Sequence, residues 1–158
     1  MKRPGRNNRE PRGERPKPEF DHKMVGIRRV ARVMAGGRRF SFSVVVVAGN
    51  RKGKVGVGIG KAGDTSLAID KAMNNAKRSM INIPLTKENS IAHEVRAKFG
   101  SSEVFIKPAA GRGLSAGSAV RVVLDLGGVH NVNGKVLSRS KNKLNIARAT
   151  IKALSNLA

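Results

Sequence analysis

Arg51-Lys52-Gly53-Lys54-Val55-Gly56-Val57-Gly58-Ile59-Gly60-Lys61-Ala62-Gly63-Asp64 is the stretch on which the reading of this chain turns. With the period of two of a strand, Val55, Val57 and Ile59 share one face, and Lys54, Gly56, Gly58 and Gly60 share the other. Glycine weakens a strand interior, so a whole face of it predicts close approach by another backbone or a ligand. Basic residues at both ends predict that the approaching group is anionic. Asp64 is an N-cap candidate, and the spacing predicts a helix to about Asn82, before Pro84. Its apolar stripe is Ile69, Met73, Ala76 and Met80, with Ala68 and Ala72 beside it. That stripe is expected to cover Val55, Val57 and Ile59 and to leave the glycine face open. Lys61 beside the positive end of the helix dipole is a place for phosphate.

Two nucleotide motifs fail here. Gly58, Gly60 and Gly63 match G-x-G-x-x-G between a strand and a helix, but no Asp or Glu stands between Asp70 and Glu88 to hold a ribose. The phosphate loop G-x-x-x-x-G-K-[ST] fails because Ala62 follows Gly60-Lys61 and Val55 stands at the first position. No cofactor is expected.

The charge is lopsided. Against 32 Lys+Arg stand 10 Asp+Glu, a net charge of +22, and such a fold repels itself unless a polyanion neutralises it. His22 to Gly63 holds ten Lys/Arg and no acid, and Leu126 to the end holds six and no acid. Nucleic acid is the expected partner. No apolar run is long enough to span a bilayer, no signal-peptide core is present, and no membrane partner is expected. The chain lacks cysteine, which excludes disulfides and is compatible with the cytoplasm. With five Phe and no Trp or Tyr, base stacking is weakly supported, and the five are expected in the core.

Outward from the glycine strand, residues 1–19 read as a basic, Pro-rich disordered tail, 20–84 as a first domain and 85–158 as a second. Phe20 to Met34 is a strand with Val25, Ile27, Val30 and Val33 expected to face inward, and Arg28, Arg29 and Arg32 on other positions. Ala35-Gly36-Gly37 is a turn, followed by Arg38 and Arg39. Ordinary surfaces mix signs, so five arginines on one hairpin without an acid point to a partner. Phe40 to Val47 is a central strand. After a linker over Pro84 to Ser90, strands are expected over Ile91–Lys98, Ser102–Lys107 and Val129–Leu137. Helices are expected over Ser118–Leu126 and Lys143–Leu157, the last burying Leu144, Ala147, Ile151 and Leu154. The fold class is α+β, two small domains, the second an α+β sandwich.

Catalysis is not expected. His22, His93 and His130 have no metal-like spacing to a second ligand, and no Ser-His-Asp set can be assembled. Ala110-Gly111-Arg112-Gly113 before a helix is either an anion-binding loop or a protein contact loop. Arg121 and Asp125 are i,i+4 partners.

Several segments resemble the small ribosomal subunit protein five family. They are Gly36 to Phe42, Gly53 to Ala62, Ala68 to Met73 running into Ala76 to Ile81, Val104 to Ala109, Ala119 to Leu124, Gly128 to Val132 and Asn145 to Thr150. The resemblance implies an N-terminal double-stranded-RNA-binding-like domain of three strands and a helix, and a C-terminal domain without catalysis. It implies binding to small-subunit ribosomal RNA, contacts with subunit proteins four and eight, a place by the mRNA entry path and a role in decoding accuracy. The hairpin matching Val33 to Arg39 is then the family's RNA-reaching loop. Positions matching Gly113 and Arg121, with neighbouring Arg112, lie towards protein four. The chain departs from the family at Gly111-Arg112-Gly113 and at Ser138 to Lys143, where added basic residues suit RNA.

The expected function is thus a ribosomal RNA-binding structural protein, cytoplasmic, ribosome-bound and not a homo-oligomer. The expected RNA contacts are Arg28, Arg29, Arg32, Gly36, Gly37, Arg38 and Arg39 on the hairpin, and Lys52, Lys54, Gly56, Gly58 and Lys61 on and around the glycine face. A free RNA chaperone or double-stranded-RNA binder is the alternative reading. A phosphotransferase built on the second domain is a third.

Overall fold

The computed structural model describes residues 19–157, so nearly all of the Pro-rich tail lies outside the described residues. Its elements run β1 (Asp21–Met34), β2 (Gly37–Gly49), β3 (Lys54–Ala62), α1 (Thr65–Arg78), β4 (Ile81–Asn82), β5 (Val95–Phe99), β6 (Ser102–Pro108), β7 (Leu114–Ala116), α2 (Ser118–Gly127), β8 (Val132–Val136) and α3 (Lys143–Ser155). One sheet has the order β1-β2-β3-β4 and the other β5-β6-β8-β7. Among the described residues only the β7–β8 pair is parallel, and α2 makes the crossover between those strands. The architecture is α+β, as the sequence predicts.

The glycine face is covered, which reverses the expectation drawn from the helix stripe. A methyl group on Gly56, Gly58 or Gly60 would overlap the carbonyl oxygen of Ala76, Ala72 or Ala68. The backbone that approaches is that of α1. Two strand residues advance about 6.8 Å and four helix residues about 6 Å. Glycines two apart and alanines four apart therefore stay in step as α1 runs back along β3. Ala68, Ala72 and Ala76 are fully buried on that line, and Ile69 and Met73 flank it half-buried. Bulkier residues at either set of positions would hold helix and strand apart.

Val55 and Val57 face the other way, into a core shared with the second domain. This core takes Val25 and Val47 from the first sheet, Val120, Val123 and Leu124 from α2, Ile146 and Leu154 from α3, and Val104 and Ile106 from the second sheet. The layers are therefore α1, first sheet, α2 with α3, second sheet. The junction is tight at the backbone level. Arg51 N donates to Leu126 O at 2.9 Å and Gly53 N to Gly127 O at 3.0 Å, so the β2–β3 turn satisfies carbonyls that α2 leaves free at its C-terminus. Gly49 and Gly128 leave room for this approach, and Gly128 caps α2 at φ 80.

Several boundaries differ from expectation. The helix expected to reach Asn82 ends at Arg78, because Ser79 caps it and Ile81–Asn82 turns back to pair with Lys54 and Val55. The expected linker is pinned to the second domain: Ser90 Oγ donates to Asn131 O at 2.7 Å, and His130 N donates to Asn89 O at 2.8 Å. His93 falls before β5 rather than in it, and the short strand β7 follows directly on the Ala110–Gly113 loop. In α3, Ala147 and Leu154 are buried as expected, but Leu144 and Ile151 are half-buried and Ile146, Ala149 and Ala153 take their place.

Gly58→Ala is expected to destabilise the chain by about 1–3 kcal/mol or more, since both neighbours are backbone and cannot yield as a flexible side chain would. Gly63→Ala, with open space around it, is expected to change stability by less than about 0.5 kcal/mol. Paired thermal melts check this, and equal melting temperatures for the two variants would refute the packing argument.

Candidate nucleic-acid interface

β1 and β2 are long strands, and only one end of the pair is built into the core. From Ile27 to Phe40 every residue is exposed. The register shifts between Met24 and Gly26, and past that bulge the hairpin leaves the body of the protein. Ile27, Val30 and Val33, expected to face inward, stand 47%, 36% and 72% exposed, because no layer among the described residues lies over either face of the outer hairpin. The turn is at Ala35-Gly36, and Gly37 takes φ 121, a value that favours glycine.

The register divides the five arginines between two faces. Arg28, Arg32 and Arg39 share one face with Val30 and Met34, and Arg32 is directly opposite Arg39. Arg29 and Arg38 share the other with Ile27, Val33 and Phe40. All five are exposed, and none makes an ion pair with a described residue. Arg29 stacks on Phe40, its guanidinium carbon 3.7 Å from the ring centre. This contact packs the guanidinium against the ring. Phe40, expected in the core, is 48% exposed.

At its root the hairpin meets the second domain. Met24–Arg28, Ser43, Val45 and Ile59 face the segment 141–144 across a groove of about 500 Å³. Lys141 and Lys143 bring two more cations towards Arg28 there. The sequence marks this segment as a departure from the family, but nothing in it places the segment beside the hairpin.

Lys52 and Lys54 are exposed at the opposite end of the sheet from the hairpin tip. Their N–H groups both donate to Asn50 Oδ1, at 2.8 and 3.0 Å, which closes the turn that docks on α2. Lys61 is exposed beside Ser43, nearer the hairpin root. Gly56 and Gly58, expected to contact RNA, are instead covered by α1. The N-terminus of α1 is not an open anion site, since Asp64 accepts from Thr65 N at 2.6 Å.

In the second domain, Arg112 and Arg121 are exposed and Gly113 adopts φ 66. Gly113 O accepts from Val132 N at 3.2 Å, which ties the loop to the start of β8. Arg121 and Asp125 do not form the expected ion pair. On the open face of the second sheet, Arg96 Nε donates to Glu103 Oε1 at 2.7 Å and holds that carboxyl below its ordinary range. Phe105 lies between Arg96 and Lys135 on the same face and is half-buried rather than core. His22, His93 and His130 are exposed on separate segments. No helix among the described residues is long and apolar enough to cross a membrane.

The family model for ribosomal protein S5, N-terminal domain, matches residues 20–84. The model for the C-terminal domain of the same protein matches residues 97–158. The chain belongs to the ribosomal protein S5 family. Small ribosomal subunit protein uS5 of Thermus thermophilus is 47% identical over 143 residues, 90% of this chain and 87% of its own length. The uS5 protein of Picosynechococcus is 48% identical over 139 residues, 87% of this chain and 80% of its own. Protein uS5c of Emiliania huxleyi is 46% identical over 140 residues, 88% of this chain and 87% of its own. Membership places the chain in a structural, non-enzymatic family.

Phe40→Leu keeps an apolar contact for the Arg29 stem but removes the ring face. A cation–π contact at an exposed site contributes about 0.5–1 kcal/mol, so amide exchange around Arg29 and Phe40 is expected to quicken by about two- to fivefold. Hydrogen exchange by NMR checks this, and unchanged rates would remove the stacking from the account.

Proposed function

We propose that the protein is a structural constituent of the small ribosomal subunit that binds small-subunit ribosomal RNA through its projecting hairpin. The observation that carries this reading is the hairpin from Ile27 to Phe40, wholly exposed, with five arginines and no carboxylate. An isolated hairpin is at best marginally stable in water. Apolar Val30, Val33, Met34 and Phe40 interleave with the arginines, so the surface suits a partner that offers phosphates and also excludes water. RNA helices and their loops do both. Arg29 and Arg38 face one side and Arg28, Arg32 and Arg39 the other, which fits insertion between RNA segments better than lying flat on one. Lys61, Lys141 and Lys143 extend the cationic surface at the root.

The same reading gives the second domain a docking role. Arg112, Gly113 and Arg121 face subunit protein four, and protein eight is the second protein neighbour. The protein acts as a single copy in the cytoplasm, by the mRNA entry path, where its hold on RNA supports decoding accuracy.

Replacing Arg38 and Arg39 together by Ala is expected to weaken binding to small-subunit RNA. The slope of log K against log salt should fall in magnitude by about 1.4–1.8, from about 0.7–0.9 for each lost phosphate contact. Filter binding across a salt series measures it. An unchanged slope would remove these arginines from phosphate contact. Crosslinking in lysate tests the wider reading, which requires small-subunit RNA to be the RNA recovered; a varied set of RNAs would favour a free RNA chaperone.

A further inference from the structure

Among the described residues the outer edge of β3 lacks a strand neighbour for most of its length. β4 pairs with it only at Lys54 and Val55. In a strand the N–H and C=O of one residue point to the same side, and successive residues alternate sides. Lys54 O, which accepts from Asn50 N at 3.1 Å, points towards β2. Val57 and Ile59 point outward, where two side chains of α1 take their carbonyls. Ser79 Oγ donates to Val57 O at 3.0 Å, and Asn75 Nδ2 donates to Ile59 O at 2.8 Å. The N–H groups of Ile59 and Lys61 point the same way and meet no backbone acceptor among the described residues. The Val57 and Ile59 acceptors on this edge are therefore taken, while the Ile59 and Lys61 donors remain, with the Lys61 carbonyl beside them.

The side chains around it carry the same bias. A cleft of about 370 Å³ is lined along β3 by residues 59–61 and along α1 by Lys71, Asn74, Asn75 and Arg78, with no carboxylate. Their spacing of three, four and seven puts the α1 residues on one face of the helix. Lys61, Lys71 and Arg78 are exposed, and none forms an ion pair with a described residue. An edge with both donors and acceptors invites another strand. One whose donors outnumber its free acceptors, under three cations, suits an oxyanion.

We propose that the cleft between β3 and α1 is a phosphate-binding site that takes a phosphodiester of the bound RNA strand. This rests on the RNA-binding function proposed above and adds a contact separate from the hairpin. The backbone amide of Ile59 or of Lys61 can donate to a phosphate oxygen, and Lys61, Lys71 and Arg78 supply the countercharge. Asn75 keeps the Ile59 carbonyl from repelling the anion.

Two measurements on the full chain test this. In the first, inorganic phosphate is titrated against chloride at constant ionic strength while amide resonances are followed. The Ile59 and Lys61 amides are expected to shift in the wild type and not in Lys71→Ala/Arg78→Ala. In the second, small-subunit RNA binding is measured across a salt series. The double variant is expected to lose about 1–2 from the magnitude of the salt slope, and Lys71→Arg/Arg78→Lys to retain it. Thermal melts establish that both variants are folded.

Unmoved amides together with an unchanged slope would overturn the site. Shifted amides with an unchanged slope would overturn its assignment to the RNA strand and leave a site for free phosphate. If the wild-type chain bound no small-subunit RNA, the functional reading would fall and the phosphate titration alone would decide the cleft.

Discussion

The rest of this structure depends on the contact of one backbone with another where α1 lies on β3. Gly56, Gly58 and Gly60 have no side chains, and Ala68, Ala72 and Ala76 have the smallest, so carbonyl groups of the helix sit against the strand itself. The attraction is dispersion and exclusion of water over a close-packed surface. Its sensitivity is steric, because neither backbone can move without breaking its own hydrogen bonds. The closeness has a second effect. Only a helix this near the strand brings Asn75 and Ser79 within hydrogen-bonding reach of the Ile59 and Val57 carbonyls. The exposed strand edge is thereby made unreceptive to another strand and receptive to an anion.

The opposite face of β3 depends on the same arrangement. With α1 on the glycine side, Val55 and Val57 are free to build a core with α2 and α3, and that core continues to the second sheet. The two domains share this core, and the β2–β3 turn caps α2. The body is consequently stiff where the hairpin is anchored. A stiff anchor suits a projecting arm, since orientation at the tip is set by packing at the root.

The charge asymmetry is legible in the chain itself. Acid-free basic runs, a Gly-Gly turn between arginine-bearing strands and a failed nucleotide motif lead to RNA and away from a cofactor. Strand and helix identities are also legible in most places, because period and turn residues carry them. The misread positions have one cause. Val30, Val33 and Phe40 read as core residues because hydrophobic alternation reports that a face is apolar, not what covers it. Gly56 and Gly58 read as a bare surface because glycine reports close approach without naming the approaching group. Lys71 and Arg78 lie off the apolar stripe of their helix, and no local pattern connects them to Lys61.

By itself the sequence determined the α+β class, the glycine strand with its following helix, the family and the polyanionic partner class. These follow from composition, from periods of two and 3.6, and from motifs within single segments. Tertiary structure alone decided which side of the glycine strand the helix takes and which apolar residues stay exposed. It also decided which cations meet. A strand offers both faces equally to its neighbours, and the choice between them is made by packing complementarity with distant residues. Here the alanine line of α1 matches the glycines, and the valines are left to the second domain.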